Sequence, residues 1–231
     1  MINVCDETHP VQAKYKSWLK FLLTTNKTLF LDELKKYPQL FAKYNSFDEA
    51  TKGKFFEDFL EADAAVLKSL DGEVDLISVW SEVKYLKDAK KDIAFLQALK
   101  KIKNSNLSKH LKGEINAQNQ AVGCHLQSAV DNVRVKIINP PTPIYNGLEL
   151  VKAKLEIDGV VKSKFSDFFP SSWDETRVFE EAALILKNPA NQLPNNVRIF
   201  KGTASDGITK IQVELTGADP NNLQINTVFP Y

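Results

Sequence analysis

The spacing of apolar residues changes near residue 105, and this change limits the folds open to the chain. From residue 10 to residue 104, apolar side chains recur three and four positions apart, as in KTLFLDELKKYPQLFAKY and KKDIAFLQALKKI, which is typical of amphipathic helices. Beyond residue 106, runs such as VRVKII, ITKIQVEL and LQINTVF are short and alternate as strands do. The pattern predicts an α+β fold, in which an all-helical region (residues 1–104) precedes a domain of antiparallel sheets with few helices (residues 105–231).

Turn and capping residues support antiparallel pairing in the C-terminal part. Asp158-Gly159 separates two alternating runs and is typical of a two-residue hairpin turn. Asp206-Gly207 marks a second turn before ITKIQVEL. Ser172 is followed three positions later by Glu175, a spacing that predicts a capping box at the start of a helix through VFEEAALIL.

Composition excludes several classes of protein. The two cysteines, Cys5 and Cys124, lie far apart and form neither a disulfide nor a metal-binding pattern. No run approaches the roughly 18 apolar residues of a membrane span, and MINVCDETHP lacks the basic and apolar parts of a secretory signal. From residue 105 onward, 13 basic residues balance 13 acidic ones, which disfavours nucleic-acid binding through bulk charge but permits a local site.

Two of the three histidines, His110 and His125, bracket the entrance to the predicted β-rich domain. His9 lies in a polar stretch and is expected to be solvated. A single histidine is more often a surface or core residue, but a pair can remove a proton from a 2′-hydroxyl and protonate a departing 5′-oxygen, because the ordinary pKa of about 6.5 permits both forms. No third histidine or clustered carboxylate stands at ligand spacing, so we expect no metal site.

A fixed cation would stabilise the negative charge of the phosphoryl transition state. Lys162, Lys164 and Ser166 stand two positions apart, so a regular strand places all three on one face. In LQINTVFPY, Thr227 is the polar member of a face that it shares with apolar residues, Phe229 among them. A solvated strand face for the lysines and an ordinary β-branched role for Thr227 remain open alternatives.

The order of these motifs resembles the EndoU endoribonuclease superfamily, especially its bacterial toxin branch. The resemblance rests on His110, on GCHL with His125, on SDFFPSSWDETRV, and on the terminal INTVFP, and it covers residues 105–231. It implies an EndoU-like domain that cleaves RNA without a metal or organic cofactor and leaves 2′,3′-cyclic phosphate ends. In the toxin branch the expected RNA is tRNA, although nothing in the sequence selects tRNA over other RNA, and no DNA substrate is expected.

The resemblance also implies roles for individual residues. The implied catalytic residues are His125 as general base, His110 as general acid, Lys162 as the phosphate-stabilising cation, and Thr227. Lys164 is the alternative to Lys162, because the strand aligns only to within two residues. The implied substrate-binding residues are Lys164, Ser166 and Phe229. Phe229 stands where the family usually has tyrosine, so it keeps a stacking face for a base but lacks the hydroxyl.

The helical half resembles the segments that precede toxin domains in large polymorphic and contact-dependent toxin proteins. This implies export as part of a larger toxin, action in the cytoplasm of a target cell, and a cognate immunity protein that blocks the site. The alternative is an EndoU-like binding or assembly module that no longer cuts. Balanced charge and Phe229 favour that alternative, whereas both histidines and Lys162 favour the enzyme.

Overall fold

The computed structural model describes residues 25–83, 92–130, 132–139, 142–143, 151–219 and 223–231. The chain divides into two compact units, Met1–Ser81 and Glu82–Tyr231. This packing boundary precedes the change of period at residues 104 and 105, because one further helix packs with the second unit. No helix within the described ranges has both the length and the apolar character needed to cross a membrane.

The first unit consists of short helices around an aromatic core. Its helical segments are residues 25–34 (α1), Pro38–Asn45 (α2), Glu49–Phe59 (α3), Ala64–Gly72 (α4) and Asp75–Ser81 (α5). Asp48 and Asp63 cap α3 and α4 by accepting hydrogen bonds from backbone N–H groups three positions later. The rings of Phe55 and Trp80 meet edge to face, with centroids 5.1 Å apart.

The predicted helical character of this region is confirmed where it is described, with one difference in length. The amphipathic run from residue 47 to residue 70 is two helices, because Asp63 starts a new helix after a break at residues 60–63. The predicted stop at Asp71-Gly72 is confirmed, since α4 ends at Gly72. The helix predicted over residues 11–23 lies outside the described residues.

Among its described residues, the second unit combines three α-helices with small antiparallel sheets. Its helices are Ile93–Lys103 (α6), Leu107–Lys112 (α7) and Glu175–Leu186 (α8). Its strands are Glu114–Ile115 (β1), Ala121–Val122 (β2), Val135–Ile137 (β3), Thr142–Pro143 (β4), Val151–Ala153 (β5), Leu155–Ile157 (β6), Val160–Val161 (β7), Ser166–Asp167 (β8), Gln192–Leu193 (β9), Asn196–Thr203 (β10), Lys210–Thr216 (β11) and Gln224–Pro230 (β12). The predicted α+β class, with antiparallel sheets after the helical region, is confirmed.

The strands of the described segments form four sheets, of which the largest supports the C-terminal core. Its order is β12-β11-β10-β9, and the smaller sheets are β3-β6-β7, β4-β5-β8 and β1-β2. Helix α8 packs on β10 and β11, and α6 packs on α8. Ile211 and Val213 of β11 and Ala182 of α8 are fully buried, which places the core between this sheet and its helices.

The turn that was predicted from the sequence at Asp158-Gly159 is present, whereas the predicted helix cap and the predicted end of the helical region differ from the structure. The Asp158-Gly159 hairpin is confirmed: it joins β6 to β7 with φ values of 48° and 82°, as a type I′ turn requires. The predicted capping box at Ser172 is wrong, because Asp174 is the N-cap and accepts a hydrogen bond from the Arg177 N–H. The change from helical to strand-like spacing was placed after residue 106, but one more helix, Leu107–Lys112, forms before the first strand.

Candidate active site

His110 and His125 come together because the chain makes a close backbone turn at Gly123. The carbonyl oxygen of His110, in the last turn of α7, accepts a hydrogen bond from the Cys124 N–H at 2.7 Å. Gly123 has φ +71°, and a Cβ at this position would lie 1.9 Å from that same oxygen. Only glycine permits this approach, so the turn and the helix end jointly fix the two imidazoles.

The two imidazole rings form a compact pair. Their centroids are 5.7 Å apart, with an interplanar angle of 34°. Nδ1 of His125 lies 2.7 Å from the backbone carbonyl oxygen of Asp167. A carbonyl oxygen only accepts, so Nδ1 carries the proton and Nε2 of neutral His125 keeps its lone pair. The hydrogen bond therefore leaves His125 able to act as a base through Nε2.

Burial controls the protonation of both histidines. Burial first, and the positive charge of Lys162 second, lower the pKa of His125 to about 3 and the pKa of His110 to about 4. Both imidazoles are therefore neutral at pH 7 in the free protein. Nδ1 of His110 lies 3.7 Å from a carboxylate oxygen of Glu114, which is the nearby group that would favour a protonated ring.

Lys162 is a buried ammonium group tied to the same turn. Its side chain is 7% exposed, and burial lowers its pKa to about 8, so the group remains charged at neutral pH. Nζ donates to the Ser166 hydroxyl at 2.6 Å, and that hydroxyl donates to the Gly123 carbonyl at 3.0 Å. This relay connects the ammonium group to the segment that carries His125.

The predicted regular strand through Lys162, Lys164 and Ser166 is wrong. After β7 the chain bends at residues 163 and 164 before β8 begins, and β7 and β8 belong to different sheets. The bend buries Lys162 and Ser166 together and leaves Lys164 exposed. Ser166 is fully buried, and its hydroxyl both accepts a hydrogen bond from Lys162 and donates one to Gly123, so Ser166 positions Lys162. Substrate contact by Ser166 or Lys164 stays a prediction.

Strand β12 brings Phe229 and Thr227 to this region. The Phe229 ring stacks on His125, with centroids 5.8 Å apart and an angle of 28°. Thr227 is 7% exposed, and its buried hydroxyl has no hydrogen-bond partner among the described residues. An unsatisfied buried hydroxyl is costly, and such groups tend to persist at functional positions. A catalytic role for Thr227 and base stacking on Phe229 stay predictions.

A polar cleft of about 650 Å³ opens beside His110 and Glu114. Its wall is rich in amide side chains, namely Asn104, Asn106, Asn116, Gln224 and Asn226. Asn106 occupies the N-cap position of α7 without a side-chain cap hydrogen bond. The sequence pattern marked residues 104–106 as a helix break and gave no sign of a cleft, because the wall combines residues from 104–122 with residues from 216–226.

The part of the chain that carries these residues is similar to known proteins. Residues 104–231 match the model of the bacterial EndoU nuclease family. The chain is also 30% identical over 141 residues to a protein of Bacillus cereus described as a toxin, a match that covers 60% of this chain and 24% of that protein. The chain thus corresponds to about a quarter of that relative's length.

Proposed function

Because the chain belongs to the bacterial EndoU nuclease family through residues 104–231, we propose that it is a metal-independent endoribonuclease. In this proposal the 2′-hydroxyl of RNA attacks the adjacent phosphorus, the bond from phosphorus to the 5′-oxygen breaks, and a 2′,3′-cyclic phosphate remains. The observation that carries the proposal is the convergence of two imidazole rings, 5.7 Å apart, beside the buried ammonium group of Lys162.

His125 is suited to remove the 2′-hydroxyl proton. Its Nδ1–H is committed to the Asp167 carbonyl, so Nε2 is the available acceptor, and the low pKa keeps that nitrogen unprotonated at neutral pH. His110 would donate its proton to the departing 5′-oxygen. Since the pKa of His110 is about 4 in the free protein, the bound phosphodiester anion must raise that pKa for His110 to act as an acid.

Lys162 is suited to stabilise the charge that develops on the phosphoryl oxygens. The Ser166 relay holds its ammonium group in place, so little reorganisation is needed as negative charge grows. The amide-rich cleft offers hydrogen-bonding groups beside His110, where a nucleotide next to the scissile phosphate could bind. We infer that Lys162, and not the exposed Lys164, is the catalytic cation.

The relative described as a toxin supports a biological context for this activity. We propose that the nuclease is exported as part of a larger toxin protein, acts on RNA, with tRNA as the expected substrate, in the cytoplasm of a target cell, and is blocked by a cognate immunity protein. Expression in the bacterial cytoplasm tests this context. Wild type should arrest growth and His125→Ala should not; equal growth of both strains would contradict a toxic nuclease.

The activity itself is tested by incubating the protein with total tRNA in the presence of EDTA. The proposal expects cleavage that resists the chelator and leaves 2′,3′-cyclic phosphate ends, detected by mass spectrometry of the fragments. His110→Ala and His125→Ala should each lower the rate about 100-fold or more, as for other general acid–base groups. Cleavage that stops in EDTA would contradict the mechanism, and no cleavage by wild type would favour an inactive binding module.

A further inference from the structure

Phe165 is an exposed aromatic residue surrounded by lysines. Its side chain is 48% exposed, and the ammonium groups of Lys152 and Lys154 lie 5.8 Å and 5.5 Å from the ring centroid. Lys164 is the exposed residue immediately before it in the chain. We refer to Phe165, Lys152, Lys154 and Lys164 as the Phe165 patch.

The Phe165 patch borders the candidate active site. The buried ammonium group of Lys162 lies 3.4 Å from the Phe165 backbone carbonyl oxygen, to which it donates. The charges of Lys154 and Lys164 both help to lower the pKa of Lys162, which is consistent with this closeness. If the scissile phosphate of a bound RNA lies near Lys162, the nucleotides on one side of that phosphate can reach the patch.

The patch also concentrates positive charge in a domain whose net charge is zero. Lys152, Lys154, Lys162 and Lys164 are four of the 13 basic residues after residue 104, and they fall within one short stretch of the fold. A carboxylate oxygen of Asp167 lies 3.8 Å from Lys152 Nζ. Balanced net charge therefore conceals a local basic surface next to the histidines.

We propose that the Phe165 patch binds a single-stranded RNA segment flanking the scissile dinucleotide, with one base stacked on Phe165 and phosphates contacting Lys152 and Lys164. This inference rests on the proposed function and extends it to a substrate longer than two nucleotides. An aromatic face between lysines suits nucleic acid, because each nucleotide presents both a π-face and a negative charge. An acidic protein surface would use the lysines but would leave the aromatic face without a matching group.

Binding is measured by fluorescence anisotropy with a single-stranded RNA dodecamer that carries 2′-O-methyl riboses and so lacks the attacking hydroxyl. Phe165→Leu keeps much of the bulk and removes the π-face, and it should weaken binding about 5-fold to 150-fold, the range that corresponds to one lost base–aromatic stack. Phe165→Trp should bind at least as tightly as wild type. Val197→Ala, at an exposed apolar position of β10, is the matched control and should bind like wild type.

Salt dependence tests the lysines. Each lost phosphate contact on a single strand should reduce the slope of log affinity against log salt by about 0.7, so Lys152→Ala and Lys164→Ala should each show this decrease. Lys210→Ala, at an exposed position of β11, should keep the wild-type slope. If Lys152→Ala and Lys164→Ala have the same slope as Lys210→Ala, the proposed phosphate contacts are overturned.

Cleavage assays separate this inference from the proposed function. Phe165→Leu should raise KM for a cleavable dodecamer and leave kcat/KM for dinucleoside monophosphates unchanged, since these end before the patch. If wild type cleaves RNA and Phe165→Leu binds the dodecamer equally well, the patch assignment is overturned while the nuclease stands. If wild type binds the dodecamer in a Phe165-dependent way but does not cleave RNA, the patch stands and the proposed function fails. Absence of binding by wild type overturns the patch.

Discussion

Acidification should destabilise the second unit through its two buried histidines. In the folded protein the pKa of His110 is about 4 and that of His125 is about 3, whereas an unfolded histidine takes up its proton near pH 6.5. The unfolded state therefore binds more protons as the pH falls. Because both folded pKa values are depressed, the stability linked to these histidines is fully present above pH 6.5. It is lost as the pH falls to about 4 for His110 and to about 3 for His125.

The expected magnitude follows from these values. Each pKa unit corresponds to about 1.36 kcal/mol, and an unfolded histidine takes up its proton mainly below about pH 6.5. Lowering the pH from 7 to 5 should therefore remove about 2 kcal/mol for each histidine and about 4 kcal/mol for the pair. Lys162, with a pKa of about 8, is protonated at both pH values in both states and adds nothing here. Asp167 acts in the opposite direction, because burial raises the pKa of its carboxyl group.

The free energy of unfolding is measured by native-state hydrogen exchange at amides of β11, a central strand of the second unit, at pH 7 and pH 5. The matched control is the double variant His110→Asn, His125→Asn, whose amides do not titrate, and its stability should change little over this window. Wild-type stability that is equal at the two pH values, or the same loss in the double variant, would refute the reasoning.

Three further predictions follow from single contacts. Gly123→Ala should cost about 3 kcal/mol or more of unfolding free energy in urea melts, because the new methyl group meets the His110 carbonyl at 1.9 Å, whereas Gly159→Ala, with a similar positive φ but open space, should cost about 1 kcal/mol. Lys162→Met should raise the pKa of both imidazoles in an NMR titration, and Lys164→Met should not; unshifted imidazoles in Lys162→Met would place the lysine charge elsewhere. Phe229→Leu should raise KM for RNA about 5-fold or more if the ring next to His125 stacks a base, and an unchanged KM would remove Phe229 from the substrate site.

Features that depend on residues close together in the sequence were largely predictable. Hairpin formation at Asp158-Gly159 requires two positive φ angles, which that dipeptide adopts readily, and the structure has them. The change of hydrophobic period located the helical and sheet regions, because period reports which face of an element is buried. The His110 and His125 pair was predicted as a site from residue type and family resemblance, and the structure brings the two rings together.

Features that depend on tertiary contacts were not predictable. The strand through Lys162 is interrupted because Lys162 and Ser166 form a buried relay to Gly123, a contact across 43 positions of sequence. Alternation along the strand predicted three residues on one face, and no local signal marks the bend. The amide-rich cleft is likewise assembled from residues 104–106, 116 and 224–226, so no single window of sequence contains it.

The most direct test of the acid–base assignment uses an RNA substrate in which sulfur replaces the bridging 5′-oxygen at the cleavage position. A thiolate leaves without being protonated, so the rate lost in His110→Ala should return on this substrate, while His125→Ala should remain slow because the 2′-hydroxyl still needs a base. Recovery of His125→Ala instead would reverse the two roles. If both variants stay equally slow relative to wild type on both substrates, His110 and His125 do not form the general acid–base pair.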